Sequence, residues 1–123
     1  MKIASLISRY LLGLIFLVFG LNGFFHFIPM PPPEGLAGQF MGAIFMSHYF
    51  VVIFATQTIG GLLLLIGRYV PLGLVLLGPV IVNILTFHLC MAPAGLPLAV
   101  IVAALWTVVA WQRKANLAGI LAQ

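Results

Sequence analysis

One acidic residue, Glu34, and one cysteine, Cys90, are all that this 123-residue chain has of either kind, and only 5% of its residues are charged. So few charges cannot cover the surface of a water-soluble domain in which 64% of residues are hydrophobic. With no acid inside any apolar stretch, proton pumping or cation coupling of the usual carboxylate type is disfavoured. A lone thiol excludes an internal disulfide and any Cys-Cys metal spacing. There is no Ser-His-Asp set, phosphate loop or zinc signature, which sets aside hydrolases and kinases. The net charge of +4 does not point to nucleic acid, because Lys2, Arg9, Arg68, Arg113 and Lys114 form no basic stretch with interleaved aromatics.

What the chain does have is apolar runs, and its mean hydropathy is +1.30. Residues 6–27, 49–67, 70–91 and 96–111 each read as a helix long enough to cross a bilayer. The first run follows Lys2 and Arg9 in the manner of a signal peptide. It continues without a small-residue cleavage site and is expected to remain as an uncleaved helix. Pro29, Pro31, Pro32 and Pro33 stop it. The connector 28–48 turns apolar over 36–46, too short to span, so a helix in the interface or tucked against the others is expected there. Pro71 suits the first turn of the third run, and Pro79 inside it predicts a kink.

The basic residues all fall on one side if the helices alternate in direction, with Glu34 and the uncharged 92–96 turn on the other. That bias predicts cytoplasmic N- and C-termini. Tyr10, Tyr69 and Trp111 then mark the inner interface and Tyr49, next to His48, the outer one, while Gly13, Gly20, Gly23, Gly60 and Gly61 allow close helix contact. An internal similarity adds a symmetry. Arg9-Tyr10, Gly13-Leu14, Asn22, His26, Met30 and Pro31 recur in order as Arg68-Tyr69, Gly73-Leu74, Asn83, His88, Met91 and Pro93. The expected fold is all-α, a single domain over 1–123. It is an integral membrane four-helix bundle of two parallel-repeat helical hairpins.

Polar side chains inside a bilayer are costly, so each one is a candidate. Asn22, His26, Gln57, Asn83 and His88 are predicted to gather in the outer half, as candidate ligand-binding residues around a cavity. Asn22 and His26, four apart, share a helix face, whereas Asn83 and His88, five apart, align more loosely. Interhelical hydrogen bonding alone could account for them. The alternative is a ligand: amide and imidazole groups suit the ring oxygens of a lipid-soluble quinone, with histidine to relay protons. Two further readings are weaker. Haem between His26 and His88 has no supporting attachment motif, and a soft metal at Cys90, Met30, Met91 and the histidines rests on methionines that usually only pack.

Three stretches carry a family resemblance: RYLLGLIFLVFGLNGFFHFIPMP at 9–31, TIGGLLLLIGR at 58–68 and PVIVNILTFHLCMAP at 79–93. With the spacing between them, they resemble the DoxX-like membrane proteins, small four-helix bacterial proteins. The resemblance implies a multi-pass inner-membrane protein, distantly related to the membrane subunit of thiosulfate:quinone oxidoreductases, in a family of which some members are associated with redox-stress complexes. Many relatives place a glutamate in the second helix where this chain has Gln57, a departure that removes a carboxylate role there and leaves hydrogen bonding. The functional expectation is a redox-associated subunit holding a quinone-like or other small hydrophobic ligand. Its rival is a non-catalytic scaffold that docks protein partners or a second copy and uses its polar groups only for packing.

Overall fold

The computed structural model describes residues 2–29 and 33–121, in which regular structure is entirely helical. Met30, Pro31 and Pro32, which belong to the proline cluster, the internal repeat and the soft-metal set, lie outside the described residues. The helices are α1 (Lys2–Phe25), α2 (Gly35–Met46), α3 (Phe50–Ile66), α4 (Val70–Cys90), α5 (Leu96–Gln112) and the short α6 (Lys114–Ala118), with 3₁₀ turns at Pro93–Gly95 and Gly119–Leu121. α1, α4 and the run Pro93–Gln112 are long and apolar enough to cross a membrane. α3 has 17 residues and adds a fourth span if the bent pair α2–α3, angled by 88°, counts as one. Three or four such helices mark a multi-pass membrane protein.

α1 packs against α3 and α5, and α4 packs against the same two. The tightest of these contacts is α1 on α3, and small residues explain it. α1 buries Ser5, Ser8, Gly13, Gly20 and Gly23 beside Leu12 and Phe16. A Cβ on Gly61 of α3 would stand 2.6 Å from the Leu17 backbone nitrogen and 2.8 Å from the Gly13 carbonyl. The two backbones therefore touch directly. Gly60, the neighbouring residue, is turned about 100° round the helix and faces α4, where it meets Gly73 and the Leu77 side chain. Adjacent glycines thus let α3 approach both neighbours.

Leu12, Phe16, Leu64, Val70, Leu74, Leu77, Ile81, Val102 and Val109 form the buried cluster that unites α1, α3, α4 and α5. Their outward counterparts, such as Leu14, Val52, Val82, Leu98 and Ile101, are exposed on every helix. Lipid is the solvent that tolerates such a surface. Where α3 ends, Gly67 adopts φ 73°, a left-handed turn that glycine allows, and its N–H bonds the Leu63 carbonyl. The Arg9 guanidinium of α1 donates to the Leu64 carbonyl beside this turn and lies 4.6 Å from the Tyr10 ring. A cation at this helix end meets unpaired carbonyls and the negative pole of the dipole.

α5 is tied to α4 by a polar contact. Trp106 Nε1 donates to the Leu74 carbonyl at 2.9 Å. Replacing Trp106 by Phe keeps an aromatic ring but loses this bond, so stability is expected to fall by about 1 kcal/mol. Trp111→Phe, at a position 60% exposed, serves as the control; equal unfolding midpoints for the two variants in detergent would refute the role given to Trp106.

α2 stands apart from the long helices and reaches them through aromatic rings. Phe40 lies 5.6 Å from Phe87 of α4, and Phe45 lies 5.1 Å from Phe50 and 5.8 Å from Phe54 of α3. His48, at φ 64°, makes the sharp corner between α2 and α3. Histidine tolerates this conformation better than most residues with a side chain.

Candidate functional site

A half-open cavity of about 670 Å³ lies in the bend between α2 and α3. α2 lies across it, contributing Phe40, Met41 and Ile44, while α3 supplies Phe54 and Gln57 and α4 supplies Asn83, Phe87 and His88. The walls are mainly apolar, with a few polar groups placed among them. That is the usual make-up of a small-molecule site.

Gln57 is the deepest of these polar groups. It is only 7% exposed and sits on the inner side of α3, one residue from Thr58, which packs over Gly20. Thr56 and Thr58 satisfy themselves by donating to carbonyls four residues back. A glutamine is too long for that bond, and among the described residues no partner takes the Gln57 amide. Its polar atoms are not sealed in protein, and the cavity is where they emerge.

Asn83 and His88 are partly committed to their own surroundings. Asn83 Nδ2 donates to the Pro79 carbonyl at 2.9 Å, one turn back on α4, and the residue is exposed where it lines the cavity. His88 Nδ1 lies 3.0 Å from the Ala92 carbonyl, and its ring rests on Gly95, where a Cβ would collide with it. A carbonyl only accepts, so Nδ1 carries the proton and Nε2 is left uncommitted. The missing side chain of Gly95 makes room for this ring.

Asn22 and His26 do not join the cavity lining. Asn22 is buried, 7% exposed, and spends its amide on the chain that follows α1. Its Oδ1 accepts from the Ile28 N–H at 2.7 Å, and its Nδ2 donates to the Ile28 carbonyl at 3.4 Å. This loop ends α1 at Phe25, two residues before the sequence pattern suggests. His26 consequently leaves the helix, taking φ 52° with its N–H bonded to the Asn22 carbonyl at 2.8 Å. The ring is exposed, 5.6 Å from Phe45. Four-residue spacing therefore does not put Asn22 and His26 on one face.

The residues paired by the internal similarity likewise have different neighbours. Gly13 meets α3 through Gly61, but Gly73 also meets α3, through Gly60, rather than its own hairpin partner α5. Asn22 closes a helix end, and Asn83 bonds within a helix. Among the described residues no group of three His, Cys, Asp or Glu side chains comes together, and Cys90 is exposed. His26 and His88 do not share a cavity.

The aromatic wall was not singled out from sequence. Phe40, Phe54 and Phe87 line the cavity, yet ten phenylalanines are spread through the chain and nothing in their spacing separates these from lipid-facing ones. Trp106 was also missed; a tryptophan in mid-helix, away from both interfaces, is the signal that could have found it. Searched against models of protein families, curated proteins and solved structures, the chain matches none.

Proposed function

We propose that this chain is a four-helix membrane bundle that holds a small hydrophobic ligand of the quinone type in the cavity between α2, α3 and α4. The volume of about 670 Å³ falls inside the range of roughly 300–1,000 Å³ typical of small-molecule sites. The observation that carries the reading is Gln57, whose amide makes no hydrogen bond among the described residues and opens into an apolar cavity. A hydrogen bond from this amide to a ligand oxygen contributes about 0.5–1.5 kcal/mol.

The bundle itself is supported by the packing of α1, α3, α4 and α5, each against two of the others. Both termini belong on the cytoplasmic side of a bacterial inner membrane in this reading. Arg9 beside the end of α3 and Arg68 in the next turn put basic residues at one end, and Glu34 follows the opposite end of α1. Two hairpins, α1–α3 and α4–α5, form the halves, with α2 inserted into the first. The DoxX-like resemblance belongs with this function, since one of its stretches, 79–93, supplies the α4 wall. The quinone-type ligand and the resemblance together fit a ligand-holding subunit of a larger membrane oxidoreductase, whereas the absence of an electron-carrying motif from the sequence favours the rival scaffold for the isolated chain.

The test is organic extraction of the protein purified in mild detergent, followed by mass spectrometry. A quinone-type molecule is expected in near-stoichiometric amount. A blank extract, together with no thermal stabilisation by added quinones or hydroquinones, would sink the proposal and leave the scaffold without a ligand of its own.

A further inference from the structure

Within the ligand reading just given, the hydrogen bonds already made around the cavity decide which form of ligand it prefers. His88 has given its Nδ1 proton to Ala92, so in the neutral ring only the Nε2 lone pair remains. Asn83 has given one amide proton to Pro79, while Oδ1 makes no bond among the described residues. Ser47, also on the lining, donates its hydroxyl to the Ile44 carbonyl and accepts from the Tyr49 N–H. At His88 the cavity thus presents an acceptor and no donor. A quinone carbonyl facing the His88 Nε2 would set acceptor against acceptor; a hydroxyl there makes a bond.

We infer that the cavity takes the reduced, hydroxyl-bearing hydroquinone in preference to the quinone, because the neutral His88 ring has already used its only donor. His88 Nε2 accepts from a ligand hydroxyl. Gln57 and Asn83, each with an amide N–H and a carbonyl oxygen still to offer, satisfy either form and add no preference of their own.

Three probes test this on the full chain in detergent micelles: a short-chain hydroquinone under anaerobic conditions, the corresponding quinone, and the dimethyl ether of the hydroquinone, whose donors are blocked. Isothermal titration is expected to show the hydroquinone binding about tenfold or more tightly than either other probe, the effect of one well-placed buried hydrogen bond. His88→Asn keeps a donor near the Nδ1 position but loses Nε2, and should reduce the preference to about threefold or less. Asn83→Leu, at an exposed position, should leave the preference unchanged, because the amide it removes serves both forms alike. Quinone or ether binding as tightly as the hydroquinone overturns the inference and leaves the ligand site standing. Failure of all three probes to bind overturns both. An unchanged preference in His88→Asn, or its loss in Asn83→Leu, overturns the assignment to His88.

Discussion

Gly61→Leu is expected to lower stability by about 3 kcal/mol, the upper end of the cost of overpacking, and to depress the melting temperature by roughly 10 °C. The reason lies in what a side chain would meet. From Gly61 the first atom beyond Cα would stand 2.6 Å from the Leu17 nitrogen and 2.8 Å from the Gly13 carbonyl. Both are backbone atoms of a helix that cannot step aside alone, so α1 must move away from α3 along its length. Gly60→Ala is expected to cost less, because its nearest obstacle, the end of the Leu77 side chain at 2.7 Å, can rotate. Gly42→Ala, with open space around it in α2, should be neutral or stabilising by about 0.5–1 kcal/mol. Thermal unfolding of the four proteins in one detergent reads the series. Wild-type melting of Gly61→Leu would show that backbone contact does not hold α1 to α3.

The long helices were legible because the solvent imposes them. In hydrocarbon a backbone must satisfy its own polar groups, so an apolar run of sufficient length becomes a helix almost irrespective of detail. Runs at 49–67, 70–91 and 96–111 accordingly match α3, α4 and α5 to within one residue at each end. The end of α1 was less legible, since Asn22 reaches six residues ahead to Ile28. An amide within an apolar run can cap, cross-link or bind, and spacing does not choose among these. The apolar stretch 36–46 was recognisable as a short helix. Its 88° angle to α3 was not, because it rests on the left-handed turn at His48 and on rings that meet only in three dimensions.

The site was legible as a list of scarce polar residues and illegible as a place. Gln57, Asn83 and His88 come together at the cavity because α2 folds back over α3 and α4. Asn22 and His26 fall outside it because α1 stops early. The internal similarity marks equivalent positions along two helices but not the direction each faces. Gly13 and Gly73 turn toward the same helix, α3. Rotation about the helix axis is set by packing partners, and those are not visible along one strand of sequence.

Gln57→Leu and Asn22→Ala are expected to have opposite effects, and the pair separates binding from folding. Gln57 makes no hydrogen bond among the described residues. Its replacement by an apolar side chain of similar size therefore breaks no protein bond, and the empty protein should be as stable as the wild type or more so. The proposed ligand, however, loses the most buried polar group of the lining. Co-purifying ligand is expected to fall by about tenfold or more, the loss of roughly 1.5 kcal/mol or more. Asn22→Ala does the reverse. It releases the Ile28 N–H that Asn22 Oδ1 holds at 2.7 Å and should cost about 1–2 kcal/mol of stability. Because Asn22 does not line the cavity, the retained ligand per folded molecule should stay unchanged. Extraction and melting measured on the same two preparations decide the matter. Gln57→Leu that melts early with its ligand content intact would mean that the amide is a packing group and the cavity has no use for it.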